Sequence, residues 1–318
     1  MNSELVQQIR LRIEQAEQIL ITSHARPDGD SIGSTLGLGL ALAQTGKNIE
    51  LVSADGVPAA LKFLPGSEKI KNHATITADL VIVLDSGNLD RVGNVLDGYD
   101  RIDINIDHHP DNTFFAEFNL VQSDAVSTTE ILSKLIPELE IEITVDVAAN
   151  LLTGLITDTI GFKTENMHPG AFRTAAQMVE LGADLPTLYH HAISEKTFEA
   201  ARYMGAGLSQ LSRQDGLVYT SLTLENRKQA QYPGRDDADL VNILSSISDA
   251  KIALIFIEQS DGSVKISWRT RSPKINVSAI AHQFGGGGHR AAAGAMVAGT
   301  LQEVQEKVIT ATHNVLNL

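Results

Sequence analysis

At 318 residues the chain is long enough for two ordinary domains, and its 43% apolar and 20% charged residues are the balance of a water-soluble globular protein. A formal net charge of −14 argues against a protein that tracks long nucleic acid, whose binding rests on many Lys and Arg contacts to phosphate. The chain has no cysteine, which excludes disulfides and thiolate ligands and leaves His, Asp and Glu for any metal site.

No window approaches the roughly 18 consecutive apolar residues of a membrane span. The N-terminus, Met1-Asn2-Ser3-Glu4, shows no basic flank leading into an apolar core, so a cytoplasmic protein without a membrane partner is expected.

Residues 4–18 place Leu5, Ile9, Ile13 and Ala16 at helical spacing and predict an amphipathic opening helix. The apolar run 19–22 predicts a first buried strand, which delivers His24-Ala25-Arg26-Pro27-Asp28-Gly29-Asp30 into a loop. From Ser31 to Gln44 the Leu- and Ala-rich sequence predicts a helix capped by Asp30 or Ser31, and 48–53 a second strand. The strand predicted over 80–84 ends at Asp85-Ser86-Gly87, and one over 102–106 ends at Asp107-His108-His109-Pro110. Helices are predicted over 127–135 and 145–156, the second ending at Thr157-Asp158-Thr159.

Strands alternating with helices imply a doubly wound, mainly parallel sheet with its strand ends along one edge. Beyond Phe162 the chain is helical to about Leu211, with clear segments over 171–181 and 195–212. A strand (217–224), a helix (238–247) and a hairpin pairing 252–257 with 264–268 around Asp261-Gly262 follow. The glycine run Gly285 to Gly288 comes next, with a helix expected from Ala291, and an amphipathic helix over 301–316 closes the chain. The expected layout is α/β: domain 1–190, a helical linker 191–215, and a smaller α/β domain with a mixed sheet over 216–318, with the active site in the cleft between the two domains.

His24, Asp28, Asp30, Asp85, His108 and Asp158 are four carboxylates and two imidazoles delivered by successive element ends. Each alone has a plain structural use; Asp28 and Asp30 suit an Asx turn, and Asp85 and Asp158 suit helix caps. Independent capping does not explain their recurrence with histidines among them. Four aspartates in one crevice repel unless cations neutralise them, and two divalent ions roughly 3.5–4 Å apart would activate water and polarise a phosphoryl group.

The segments from His24 to Ser34, Leu84 to Gly87, Asp107 to Pro110 and Gly154 to Thr159 resemble, in order, the motifs of the DHH phosphoesterase superfamily. Gly285-Gly286-Gly287-Gly288-His289-Arg290-Ala291-Ala292-Ala293-Gly294 resembles the signature of the associated DHHA1 domain. The two-domain layout is most similar to the NrnA-like branch of that superfamily, bifunctional oligoribonucleases and pAp phosphatases.

The resemblance implies two divalent ions, in the first place Mn²⁺, with Mg²⁺ as an alternative. It assigns His24 and Asp28 to one ion, Asp30, His108 and Asp158 to the other, and Asp85 to a bridge. It also implies attack by a metal-activated hydroxide, His109 on the phosphate or in proton transfer, and Asp107 orienting an imidazole. Arg269 and His289 would grip the substrate phosphate, the backbone at Gly287 and Gly288 would approach it, and Arg290 and Arg91 are further candidates. Arg271 and Lys274 are read as a solvated rim, His168, His190 and His191 as surface histidines, and Trp268 as either a base-stacking or a core residue.

The implied activity is hydrolysis of very short RNA and of pAp. Linear or cyclic dinucleotides such as pApA and c-di-AMP are the alternative, and inorganic pyrophosphate is a weaker one because the DHHA1-like signature speaks against it. Long duplex nucleic acid is not an expected partner. A homodimer is compatible with the helical middle of the chain.

Overall fold

The computed structural model describes residues 2–316. The chain divides into two compact units, Met1–Glu195 and Lys196–Leu318.

In the first unit the elements run α1 (Ser3–Gln15), β1 (Gln18–Ser23), α2 (Gly29–Ala43), β2 (Asn48–Val52), β3 (Ile70–Lys71), β4 (Leu80–Leu84), β5 (Ile104–Asp107) and β6 (Phe118–Val121). Four helices follow: α3 (Thr128–Glu138), α4 (Val145–Asp158), α5 (Pro169–Glu180) and α6 (Leu185–Tyr189). The strands form one sheet in the order β3-β2-β1-β4-β5-β6, with every pairing parallel. β4, Leu-Val-Ile-Val-Leu, is buried along its whole length, as an inner parallel strand covered on both faces requires.

The order reverses at β1, which pairs with β2 on one side and β4 on the other. Such a switch point opens a crevice beyond the carboxyl ends of the two strands. His24 follows β1 and Asp85 follows β4, so both flank that crevice.

α2 and α4 lie against each other at a glycine seam. A Cβ on Gly33 would come within 2.6 Å of the Asn150 carbonyl oxygen and 3.1 Å of the Gly154 nitrogen. The seam sets the spacing between the N-terminal turn of α2, which holds Asp30, and the last turn of α4, which holds Asp158.

The second unit runs α7 (Phe198–Ser209), β7 (Ser212–Gln214), β8 (Leu217–Leu222), α8 (Leu224–Ala230), α9 (Leu240–Ser245), β9 (Ile252–Glu258), β10 (Ser263–Thr270), α10 (Val277–His282), β11 (Gly287–His289), β12 (Ala292–Ala298) and α11 (Leu301–Leu316). Its sheet, β11-β12-β10-β9-β8-β7, is mixed, with β8 and β9 parallel and the other pairs antiparallel. One buried cluster joins the sheet to Ile280 of α10 and Val304 and Val308 of α11; another joins it to Ala200 and Tyr203 of α7, Ala230 of α8 and Leu240 of α9. Of residues 191–215, expected as a linker, the part from Lys196 onward falls in the second unit and contains α7 and β7.

Two local expectations are corrected. α2 begins at Gly29 rather than Ser31, because Asp28 is its N-cap: the Asp28 carboxylate accepts from the Asp30 and Ser31 amides, and Ser31 Oγ returns a bond to the Asp28 amide. No helix starts at Ala291; Ala292–Ala298 is a strand paired with both β10 and β11, because sheet pairing outweighs the helical preference of alanine. Helix α8 was not anticipated, although Thr223 and Asn226 form a reciprocal capping box at its start. Among the described residues no helix is long and apolar enough to cross a membrane.

Candidate metal centre

The crevice at the switch point gathers the six residues singled out from the sequence into two groups. His24, Asp28 and Asp85 form one and Asp30, His108 and Asp158 the other, each with its donor atoms within 4.8 Å of one another. His24 Nε2 lies 3.4 Å from Asp85 Oδ2 and 3.8 Å from Asp28 Oδ2. His108 Nε2 lies 3.6 Å from Asp85 Oδ1, 3.6 Å from Asp158 Oδ2 and 3.9 Å from Asp30 Oδ2. Asp85 therefore turns one oxygen toward each group.

Asp28 does two things with its two oxygens. Oδ1 caps α2, and Oδ2 is the atom facing His24. The sequence suggested an Asx turn for this residue; the carboxylate instead caps the helix, and that use leaves one oxygen for the crevice.

Asp85 adopts a left-handed backbone, φ +53°, directly after β4. Aspartate is among the few residues that tolerate this region, and such strain persists only where surrounding structure holds it. Here the Asp85 amide donates to the Ile106 carbonyl at 2.9 Å and Thr128 Oγ1 donates to Asp85 Oδ1 at 3.0 Å.

The N-terminus of α3 does comparable work on Asp30. The Thr128 amide donates to Oδ2 at 2.7 Å, while the Thr129 amide and hydroxyl donate to Oδ1 at 3.0 and 2.8 Å. A carboxylate at a helix N-terminus is favoured by the unsatisfied amides there. Thr128 thus touches both Asp30 and Asp85.

The electrostatics are those of crowded carboxylates. Asp30, 1% exposed, is raised well above the usual range by burial, with Asp85, Asp158 and Asp28 adding repulsion. Asp158 is pushed up to about 6, again mainly by burial. Asp85, 2% exposed, goes the other way: burial works to raise it, and the imidazoles of His24, His108 and His109 outweigh that and lower it. Burial works to lower His24, and Asp85 more than offsets it, so His24 is raised.

These residues fit divalent cations. The donor set is carboxylate oxygen and imidazole nitrogen, hard to borderline ligands, and added positive charge would relieve the repulsion that raises Asp30 and Asp158.

His109 belongs to the same edge but is differently engaged. Its Nδ1 lies 2.7 Å from Asp107 Oδ1, and its ring stands 4.6 Å from that of His108. Asp107 is fully buried, and its Oδ2 accepts from Asn112 Nδ2 at 2.7 Å. The imidazole that Asp107 orients is therefore His109, whose pKa it raises by hydrogen bond and charge and whose Nε2 it leaves free. The Arg91 carbonyl accepts from the Ala25 amide, tying that turn to the His24 loop, and the Arg91 charge is felt at His109.

In the second unit, Arg269 and His289 sit in one lateral row. Arg269 of β10 is in register with Ala292 of β12, which is in register with His289 of β11. Residues in register share a sheet face, so the two residues flank a small alanine with their Cα atoms about 10 Å apart. Arg269 is half-buried, and its Nη1 donates to the Trp268 carbonyl at 3.0 Å. Burial lowers its pKa, with Asp237 and Asp239 opposing.

Gly287 and Gly288 lie in β11; at Gly288 (φ +138°) a Cβ would come within 2.5 Å of the Ala292 carbonyl oxygen. These glycines let one strand lie close against the next, which replaces the helix-terminus pocket expected there. Arg290 Nη1 donates to the Pro273 and Ser272 carbonyls and so pins the loop before α10. Trp268 is wholly buried, bonded through Nε1 to Thr312 Oγ1 and stacked on Phe284, so it is a core residue. His168 is not a plain surface histidine either: its Nδ1 caps α5, and its Nε2 lies 3.3 Å from the buried Glu130 carboxylate.

Thr128, Thr129 and Asn112 support the crevice and were not singled out from the sequence. Ser127-Thr128-Thr129-Glu130 carries a helix-start signature that marked the place without revealing what the amides would hold.

A sequence profile of the DHH family N-terminal domain matches residues 18–155, and one of the DHHA1 domain matches residues 216–316. The bifunctional oligoribonuclease and PAP phosphatase NrnA of Thermus thermophilus is 33% identical over 94% of this chain and 90% of its own length. The NrnA of Bacillus subtilis is 24% identical over 93% of each chain. The crystal structure of an exopolyphosphatase-related protein from Bacteroides fragilis superposes with a TM-score of 0.89 at 27% identity, covering 99% of this chain and 96% of that one.

Proposed function

Because the chain belongs to the DHH phosphoesterase family, with a DHHA1 domain behind its DHH domain, we propose that this hydrolytic enzyme cleaves very short oligoribonucleotides to mononucleotides and dephosphorylates pAp. The observation that carries the reading is Asp85, with one oxygen toward His24 and the other toward His108. His24 and Asp28 would hold one divalent ion, Asp30, His108 and Asp158 a second, and Asp85 would bridge them. Two such ions, Mn²⁺ in the first instance, would supply Lewis acidity at the phosphoryl group and lower the pKa of water.

The remaining steps fall to the chain's own side chains. Asp107 holds His109 by Nδ1 and favours its protonated form, so that Nε2–H donates to a phosphate oxygen or to the departing oxygen. Arg269 and His289 would grip phosphate, with Arg91, Arg290 and the backbone at Gly287 and Gly288 as further contacts. Of the five donors on the Arg269 guanidinium, Nη1 is turned to the Trp268 carbonyl, which leaves most of the group for an anion.

A second reading, hydrolysis of linear or cyclic dinucleotides, is favoured by similarity to the cyclic-di-AMP phosphodiesterase PdeA of Listeria monocytogenes, 25% identical over 94% of this chain and 48% of its own. A cytoplasmic location and a homodimer belong to the same proposal.

The test is Mn²⁺-dependent product release from a labelled dinucleotide, pAp, pApA, c-di-AMP and pyrophosphate in parallel. Turnover of the dinucleotide and pAp is expected, and turnover of none of the five would overturn the assignment. Asp85→Ala should abolish turnover and weaken binding of both ions; undiminished ion binding in that variant would refute the bridge.

A further inference from the structure

Phe114 stands out on the loop that follows His109. It is 63% exposed, and its backbone is left-handed, φ +53°. A lone exposed apolar side chain needs no explanation. A bulky residue in this backbone region does, because the conformation is costly and endures only where neighbouring structure enforces it.

That enforcement leads back to the metal centre. The Phe114 amide donates to Asn112 Oδ1 at 2.7 Å, and Asn112 Nδ2 donates to Asp107 Oδ2 at 2.7 Å and to Asn105 Oδ1 at 2.8 Å. The Thr113 amide and hydroxyl donate to the Gly87 carbonyl at 2.8 and 3.2 Å, anchoring the loop to the turn that follows Asp85. The next residue, Phe115, packs against the cluster of Val92 and Val95. Of two successive phenylalanines, one is spent on the core and the other is turned outward on a rigid, hydrogen-bonded arm beside the residue that orients His109.

We propose that Phe114 is a stacking platform for a nucleobase of the substrate whose phosphate is cleaved at the metal centre. The inference rests on the nucleotide reading above and adds the residue that recognises the base. Base–aromatic stacking accepts any base, so the platform selects for a nucleoside without selecting its sequence.

The test compares wild type with Phe114→Ala, Phe114→Leu and Phe114→Trp on pAp and on its abasic analogue, the same sugar bisphosphate without adenine. In the Ala and Leu variants the ratio of kcat/KM for pAp to that for the abasic analogue should fall roughly tenfold. The Trp variant should keep the wild-type ratio. Because Trp268 is the chain's single tryptophan and is buried, Phe114→Trp also supplies an exposed fluorophore that pAp should quench and the abasic analogue should not. An active wild type with an unchanged ratio in the Ala and Leu variants, or no quenching by pAp, overturns the platform alone. A wild type that turns over no nucleotide overturns it together with the reading beneath it.

Discussion

Gly33→Ala tests whether the spacing of two helices sets the geometry of the candidate metal centre. The added Cβ would lie 2.6 Å from the Asn150 carbonyl oxygen, and every close neighbour is backbone of α4. Reaching the 3.4 Å of ordinary contact requires α2 and α4 to separate locally by about 0.8 Å (3.4 − 2.6). Overpacking of this kind costs up to about 3 kcal/mol, and alanine returns about 1 kcal/mol through helix propensity, so a net loss of about 2 kcal/mol is expected. Because α2 carries Asp30 and α4 carries Asp158, the displacement also opens one ion group, and a misplacement near 1 Å costs on the order of 100-fold in turnover. Urea unfolding reads the first quantity, and calorimetric ion titration with turnover reads the second. Gly37→Ala is the control: its Cβ would meet only the flexible end of Leu151, at 2.7 Å, together with more distant side-chain atoms, so that variant should stay near wild type in all three measurements. If Gly33→Ala keeps wild-type stability and ion affinity, the seam does not set the spacing.

Three further outcomes are expected. Glu50 is buried in β2, where bonds from Lys71 and Thr75 and from the Thr75 and Ile76 amides outweigh burial and hold its carboxyl at about 2 instead of 4.5. A depressed carboxyl stabilises the fold above pH 4.5 and loses that contribution as pH falls toward 2, so wild type's advantage over Glu50→Gln in urea unfolding should shrink by about 2 kcal/mol between pH 7 and pH 3; an advantage constant over that range would contradict it. Thr128→Val keeps shape and the amide bond to Asp30 but removes the hydroxyl from Asp85, and should weaken ion binding about 10- to 100-fold by titration with little change in unfolding. Arg269→Ala should raise KM for pAp by at least about tenfold while ion affinity stays as in wild type.

The cluster of carboxylates and imidazoles was more legible in the sequence than the fold around it. His24, Asp28, Asp30, Asp85, His108 and Asp158 could be found because carboxylates and imidazoles at the ends of strand-like segments are conspicuous; β1 and β4 could be found because buried parallel strands are continuous apolar runs, and β5 because apolar and polar residues alternate over 102–106. Thr128 and Thr129 were hidden because they act on Asp30 chiefly through backbone amides, which every residue has. The strand over 292–298 was misread because Ala-Ala-Gly-Ala carries helical composition, and only its pairing with β10 and β11 decides otherwise. Asp107 illustrates the middle case: its type announced an orienting role, but which imidazole it orients depends on a 2.7 Å contact that spacing alone does not fix.

The strand order also governs how the protein comes to be folded. His24 and Asp85 end neighbouring strands yet are 61 residues apart in the chain (85 − 24), and Asp158 is a further 73 along (158 − 85). Pairing between such distant parallel segments is slow, because loop entropy is lost before any contact compensates for it. No short fragment of the chain carries both ion groups. Divalent ions held there would bind the native chain and not the unfolded one, adding about 2.7 kcal/mol of stability at a hundredfold excess over Kd. A site assembled after the rate-limiting step contributes to the unfolding barrier and not to the folding one. The ions would then act as a latch, lengthening the lifetime of the folded chain without hastening its formation.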